Sequence, residues 1–212
     1  MRILLACEES QAVCIEFRKL GHEAFSCDVL ECSGGHPEWH IQGDVLEQLD
    51  KGWDMMIAFP PCTYISYAGT SSWNNSGRVF KRLEALYFFA KLWEAPINKI
   101  CLENPKSCAS PTIAKYSQEI QPYYFGDREF KTTWLWLKNL PLLTHVKTNN
   151  LFEIATHTRK PEPKAYNKSG KAIHWCDSHT PSDDRQKLRS KTFPGIAKQM
   201  AAQWSEDLTV KT

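Results

Sequence analysis

The stretch Trp53 to Ser66 constrains this chain more than any other. Met55-Met56-Ile57-Ala58-Phe59 is an apolar run of strand length, and Pro60-Pro61 stops it, because each proline lacks an N–H and fixes φ. The two prolines stiffen the loop that presents Cys62, followed by Thr63-Tyr64-Ile65-Ser66. A buried strand ending in a stiff polar turn belongs to a parallel α/β sheet, whose crevices open outside the carboxyl ends of its strands. The stretch Lys99 to Pro105 repeats the pattern: Ile100-Cys101-Leu102 is a short apolar strand that ends in Glu103 and then Asn104-Pro105.

The N-terminal part supplies a matching beginning. Arg2 to Ala6 predicts a strand, and Ser10 is a candidate cap for a helix from about Gln11 to Leu20, with Ala12, Ile15, Phe17 and Leu20 as its apolar stripe and Gly21 at its end. Glu23 to Cys27 reads as a second strand closing on Asp28. Strand, helix and strand ending in an acidic residue form a βαβ start of the Rossmann kind, although no glycine-rich fingerprint accompanies it and a plain strand-to-helix loop fits equally. His40 to Val45 reads as a short third strand with Asp44 at its end. Cys32, His36 and His40 have metal-ligand chemistry, but no second ligand pair at zinc spacing accompanies them, and the loop reads more simply as a segment covering a cofactor.

Further along, Gly69 to Gly77 is rich in Ser, Asn and Gly and predicts a mobile loop. Arg78 to Glu94 predicts a helix that ends before Pro96 and packs Leu83, Leu86, Tyr87, Ala90 and Trp93 against the sheet. A helix near Pro111 to Glu119 and two strands, Gln121 to Phe125 and Thr132 to Leu137, are expected next, and a last helix over Ile196 to Trp204.

The Pro-Pro-Cys strand end followed by the Glu-Asn strand end resembles the DNA (cytosine-5)-methyltransferase family, in the compact form found in phages and prophages. The resemblance covers roughly residues 2–140 and 189–204 and is specific only at Pro60-Pro61-Cys62 and Glu103-Asn104. It implies a Rossmann-like class I S-adenosylmethionine-dependent methyltransferase fold, an α/β architecture with a mostly parallel seven-stranded sheet and an antiparallel closing hairpin. The implied activity is C5 methylation of cytosine in DNA. Cys62 is then the nucleophile, Glu103 holds the base, and Arg128 or Lys131 replaces the arginine of the family's Gln-x-Arg-x-Arg strand. S-adenosyl-L-methionine is expected along Ala6, Cys7 and Glu8, beside Asp28 and Val29, Asp44 and Val45, and near Pro60 and Thr192. The family's Phe-x-Gly-x-Gly loop is replaced by Ala6-Cys7-Glu8-Glu9-Ser10, and its Gln-x-x-Gly-Asn by Arg189-Ser190-Lys191-Thr192. Lys191 suits a donor bearing a carboxylate. Two other readings stay open: modification of a free pyrimidine nucleotide or an RNA base by the same thiolate chemistry, and an inactive nucleic-acid-binding protein on this fold.

Composition bounds these readings. With 212 residues, 42% hydrophobic and 12% aromatic, the chain can bury a substantial core. It shows neither a membrane-length apolar run nor a signal peptide, so a cytoplasmic protein without a membrane partner is expected. Its eight cysteines form no Cys-x-x-Cys pair and read as reduced thiols, with no metal expected. The net charge of +2 is unevenly spread: residues 128–191 carry thirteen Lys and Arg against six Asp and Glu. The sequence divides into a catalytic part, 1–146 with 185–212, and a small basic segment, 147–184. There Phe152, Tyr166 and Trp175 alternate with lysines and Arg159, suiting either a solvated linker or a surface that contacts DNA. His174, Cys176 and His179 read as a chance cluster.

Overall fold

A computed structural model describes residues 1–149, 154–168, 170, 172–174 and 192–205. The main sheet has seven strands: β1 (Arg2–Ala6), β2 (Glu23–Asp28), β3 (His40–Gln42), β4 (Met55–Ala58), β5 (Lys99–Asn104), β6 (Gln118–Ile120) and β7 (Thr133–Lys138). They are ordered β3-β2-β1-β4-β5-β7-β6. Only β7 runs against its neighbours, so the sheet is a mostly parallel, Rossmann-like α/β sheet closed by an antiparallel hairpin. The central strands are apolar without alternation because both faces are covered. On one face α1 (Ala12–Lys19) packs beside the last helix; on the other lies α2 (Arg78–Trp93). Ala6, Ala58 and Leu102 are in register, so β1, β4 and β5 reach their carboxyl ends at one level.

Several local expectations change. Ser10 does not cap α1: Gln11 precedes the helix in the left-handed conformation, and the Glu8 carboxylate accepts from the amides of Val13 (2.7 Å) and Cys14 (3.2 Å). The buried stripe of α1 is Val13, Cys14 and Phe17, and Leu20 is exposed. The third strand stops at Gln42, after which Asp44 accepts from the amide of Leu46 (2.9 Å) and starts a 3-10 turn.

On α2 the sheet buries Phe89 and Leu92, with Phe89 edge-on to Trp136 at 5.1 Å, whereas Leu83 and Tyr87 are 57% and 63% exposed. This helix is apolar on nearly every side, so periodicity alone does not select the buried one. The helix expected near Pro111 to Glu119 is only α3 (Ala109–Thr112). Past it, Tyr116 stacks on Trp134 at 4.1 Å and the Ser117 amide bonds the Leu135 carbonyl (2.7 Å), so pairing with β7 wins over helix. The strand of that hairpin is therefore Gln118–Ile120, not 121–125; Pro122 starts a 3-10 turn over Pro122–Phe125.

The last helix, α4 (Pro194–Trp204), buries Ile196, Met200 and Trp204 as expected. Between β7 and α4 the chain forms a two-stranded hairpin, β8 (Ala165–Tyr166) and β9 (Ala172–Ile173). It is preceded by a segment tied to the 3-10 turn by Thr158 N–H to Tyr123 O (2.9 Å) and Thr156 Oγ1 to Tyr124 O (2.8 Å). No helix among the described residues is long and apolar enough to cross a membrane.

Candidate active site

The chemistry-bearing residues converge at the carboxyl ends of β4 and β5. Pro60 is buried, and Cys62 is partly exposed at the start of a turn closed by the amides of Ile65 (3.2 Å) and Ser66 (2.9 Å), both donating to the Cys62 carbonyl. The loop after β5 runs alongside. Tyr67 N–H bonds Lys106 O (2.9 Å), and Cys108 N–H bonds Ile65 O (3.0 Å). Asn104, itself buried, donates its side-chain amide to the Pro60 carbonyl at 2.8 Å. The two motifs are thus one hydrogen-bonded unit.

Glu103 precedes Asn104 and pairs with Leu135 across β7. Its side chain lies deep at the strand end with part of its surface open. Burial pushes its carboxyl above the usual carboxylate range, while Lys131 and a hydrogen bond from Thr133 pull it down. Of the two basic residues expected beside it, Lys131 is the one whose charge reaches Glu103; Arg128 is exposed on the preceding loop. The Lys131 ammonium also lies 5.8 Å from the centre of the Phe193 ring, which brings the segment containing Thr192 to the same neighbourhood.

A second group gathers at the ends of β1, β2 and β3. Cys7 leaves β1 with φ 59, and its amide donates to Cys27 O at 2.7 Å. Burial raises the Cys7 thiol far above its ordinary value, and the Asp28 and Asp44 carboxylates add to the rise. Those two carboxylates therefore share one locale with Cys7. Burial, followed by the same two carboxylates, pushes Cys27 up to about 11. Val29, beside Asp28, is 68% exposed, and Val45 is buried. Asp28 accepts from the amide of Leu30 at 3.0 Å and Asp44 from that of Leu46 at 2.9 Å, and each keeps acceptor capacity that could hold a cofactor's hydroxyl groups. Glu8 departs from expectation, since its carboxylate turns inward to α1 and its burial takes it to about 8. Its backbone amide bonds Cys27 O at 3.3 Å.

Burial raises the thiols of Cys14, Cys101 and Cys108 as well, and a protonated buried thiol is a poor nucleophile. Cys32, His36 and His40 are engaged separately. The Cys32 thiol bonds Gln11 Oε1 (2.9 Å), His36 stacks on Trp39 (3.9 Å), and the two ring nitrogens of His40 meet Ser26 Oγ (2.8 Å) and Leu30 O (2.9 Å). Trp175, Cys176, His179 and Lys191 lie outside the described residues, as does Phe152.

Two residues of this region carry no sequence signal. Gln11 is fully buried and bonds Ser26 Oγ, His36 O and the His36 amide, pinning the loop after β2 onto the start of α1. Thr133 is a β-strand threonine with nothing in its neighbours to mark it as a partner of Glu103.

No protein-family model and no curated sequence matches the chain. Among solved structures it is similar to a candidate DNA modification methyltransferase encoded within a prophage (E. coli), with a TM-score of 0.45 and 10% identity over 96% of this chain and 69% of that one.

Proposed function

We propose that this protein is an S-adenosylmethionine-dependent DNA methyltransferase that modifies C5 of cytosine through a covalent Cys62 adduct. The observation that carries the reading is the Asn104–Pro60 hydrogen bond, which sets the Cys62 loop and the Glu103 strand end side by side. Cytosine C5 is a weak nucleophile. In this reading the Cys62 thiolate adds to C6, and Glu103 in its acid form donates a proton to N3, so the electron pair displaced from the ring collects at C5. Burial raises the Glu103 carboxyl, a direction that favours the acid form this donation uses. Lys131 keeps the resulting carboxylate from being an unpaired buried charge. S-adenosylmethionine, held by Asp28, Asp44 and Val29, would supply the methyl group that C5 attacks. Loss of the C5 proton to solvent and return of the N3 proton to the Glu103 carboxylate then allow the C6–sulfur bond to break, regenerating the Cys62 thiolate and an acid-form Glu103. The base must leave the duplex to reach this crevice.

The test is to incubate the protein with S-adenosylmethionine and duplex DNA containing 5-fluorocytosine, with Cys62→Ala as control. Fluorine replaces the proton that must leave, so a denaturation-resistant protein–DNA adduct is expected from the native protein alone. Donor binding without an adduct would redirect the chemistry to a nucleotide or RNA substrate. No donor binding at all would leave a nucleic-acid-binding protein.

A further inference from the structure

We propose that the exposed face of α2 is a two-fold interface that pairs with α2 of a second copy of this chain. The inference stands apart from the chemistry read at Cys62. Helix α2 buries Phe89 and Leu92 against the sheet and leaves Phe80, Leu83 and Tyr87 exposed at 73%, 57% and 63%. Successive steps of three and four residues put these side chains, and the half-buried Ala90, on one line along the helix. That spacing is the seam of a helix that packs against another helix. An aligned row of exposed large apolar side chains marks an interaction surface. Arg78 and Arg82 lie on the opposite side of α2, where they donate to the carbonyls of Thr63 and Trp73, both at 3.3 Å. The exposed face therefore takes no part in holding the Cys62 loop.

Charge complementarity selects the occupant. Glu84 and Lys91 stand along one flank of the apolar line, both exposed, of opposite sign and two helical turns apart. Among the described residues neither forms an ion pair within the chain, and the Lys91 ammonium lies 5.2 Å from the centre of the Tyr87 ring. With Glu94 at its end the face carries two carboxylates and one ammonium, which does not suit a polyanion. It suits the same face turned end for end. Glu84 and Lys91 lie at nearly equal distances on either side of Tyr87, so a two-fold axis crossing α2 there sets Glu84 of each copy level with Lys91 of the other. The same axis brings Glu94 level with Lys81 of the other copy. Antiparallel helices related in this way turn the same flank toward each other, so the ion pairs fall beside the apolar line and Tyr87 of the two copies meet on the axis. A second copy supplies this self-complementary surface by symmetry alone.

The experiment is analytical ultracentrifugation of the full chain from micromolar to submillimolar concentration, without donor or DNA. The native chain is expected to form a dimer whose population grows with concentration. Tyr87→Glu sets two carboxylates beside the axis and is expected to stay monomeric. Glu84→Lys opposes lysine to lysine and is expected to raise the dimer Kd by about tenfold or more. Combining Glu84→Lys with Lys91→Glu exchanges the signs and restores the opposition, so the double variant should return to within about threefold of the native Kd. Lys19→Gln, on α1, should leave the Kd unchanged. All the substituted side chains on α2 are exposed, so circular dichroism and Tm close to native separate loss of pairing from loss of fold. A native chain that stays monomeric overturns the proposal, whether or not Tyr87→Glu alters DNA binding. So does a dimer that Tyr87→Glu leaves intact, or a double variant that pairs no more tightly than Glu84→Lys alone. The readout is assembly, so it is separable from a failure to trap an adduct at Cys62.

Discussion

The side-chain amide of Asn104 donates to the carbonyl of Pro60 across 2.8 Å, although the residues are far apart in sequence and belong to different strands. Pro60 follows β4 and Asn104 closes β5, so their bond fixes the distance between a thiol two residues beyond one and a carboxyl one residue before the other. Asn104→Ala deletes the donor and leaves a buried carbonyl without it. Thermal unfolding should show a loss of about 1–3 kcal/mol. The methyl-transfer rate should fall by about tenfold or more with donor affinity unchanged, since misplacement of reacting groups costs rate rather than binding. Asn104→Asp should be worse, because it sets a carboxylate against the same carbonyl oxygen. A normal rate in Asn104→Ala would show that the bond does not position Cys62.

Glu103 and Lys131 form the second coupled pair. Burial raises the Glu103 carboxyl and Lys131 lowers it, so Lys131→Ala should raise it further. A reaction that needs the acid form of Glu103 then survives to higher pH, and the basic limb of the kcat/KM profile moves up. Lys131→Arg should keep the native limb. An upward move of the acidic limb, with the basic limb unmoved, would show that Glu103 acts as a carboxylate instead.

The two anchors were legible in the sequence because proline and strand-length apolar runs leave few alternatives. Prolines 60 and 61 can only end β4, and Ile100-Cys101-Leu102 reads as a buried strand, so the two strand ends were legible, whereas the seven-stranded sheet was only what the family resemblance implied. Less legible were the features that tertiary packing decides. Glu8 occupies a position where the resemblance places cofactor contacts, yet its carboxylate serves α1, because the first amides of that helix have no local acceptor from Ser10. The exposed side of α2 was invisible for a different reason: Leu83 and Phe89 are equally apolar, and only the position of Trp136 decides which is covered. Between Pro111 and Phe125 short-range propensity lost to pairing with β7, a contact made with residues not yet reached along the chain.

Glu8 predicts a pH dependence of stability. Its carboxyl has an ordinary value of 4.5 and is raised to about 8 in the folded protein, by burial that outweighs the amides of Val13 and Cys14. Between these values the folded state binds more protons than the unfolded one. The stabilisation is complete below the unfolded value and is lost as pH rises through about 8, so unfolding free energy should fall with pH across that window. The slope contributed by this single group is at most about 1.4 kcal/mol per pH unit. Denaturant titrations from pH 5 to pH 9 measure it. Glu8→Gln, which is neutral throughout, should flatten the dependence. A native protein that gains stability over this range with no change in Glu8→Gln would show that the helix amides hold Glu8 ionised.

Gly195 tests how the last helix is held against the rest. A Cβ built there would lie 2.0 Å from the Phe125 carbonyl oxygen and 2.7 Å from Asp127 Oδ2. The Gly195 amide donates to that same carboxylate oxygen at 2.9 Å. The nearest obstacle is backbone and cannot rotate away, so Gly195→Ala must lift the start of α4 from the 3-10 turn at Pro122–Phe125. Overpacking of this kind costs about 1–3 kcal/mol, which calorimetry should register as a lowered Tm. Gly43→Ala, where an added Cβ meets nothing within 4 Å, should leave Tm near its native value. Phe193, two residues before Gly195, carries the ring beside the Lys131 ammonium, so moving α4 also moves a neighbour of Glu103. The Gly195→Ala protein should therefore lose methyl-transfer rate even well below its Tm. Full activity in a destabilised Gly195→Ala protein would separate the anchoring of α4 from the environment of Lys131.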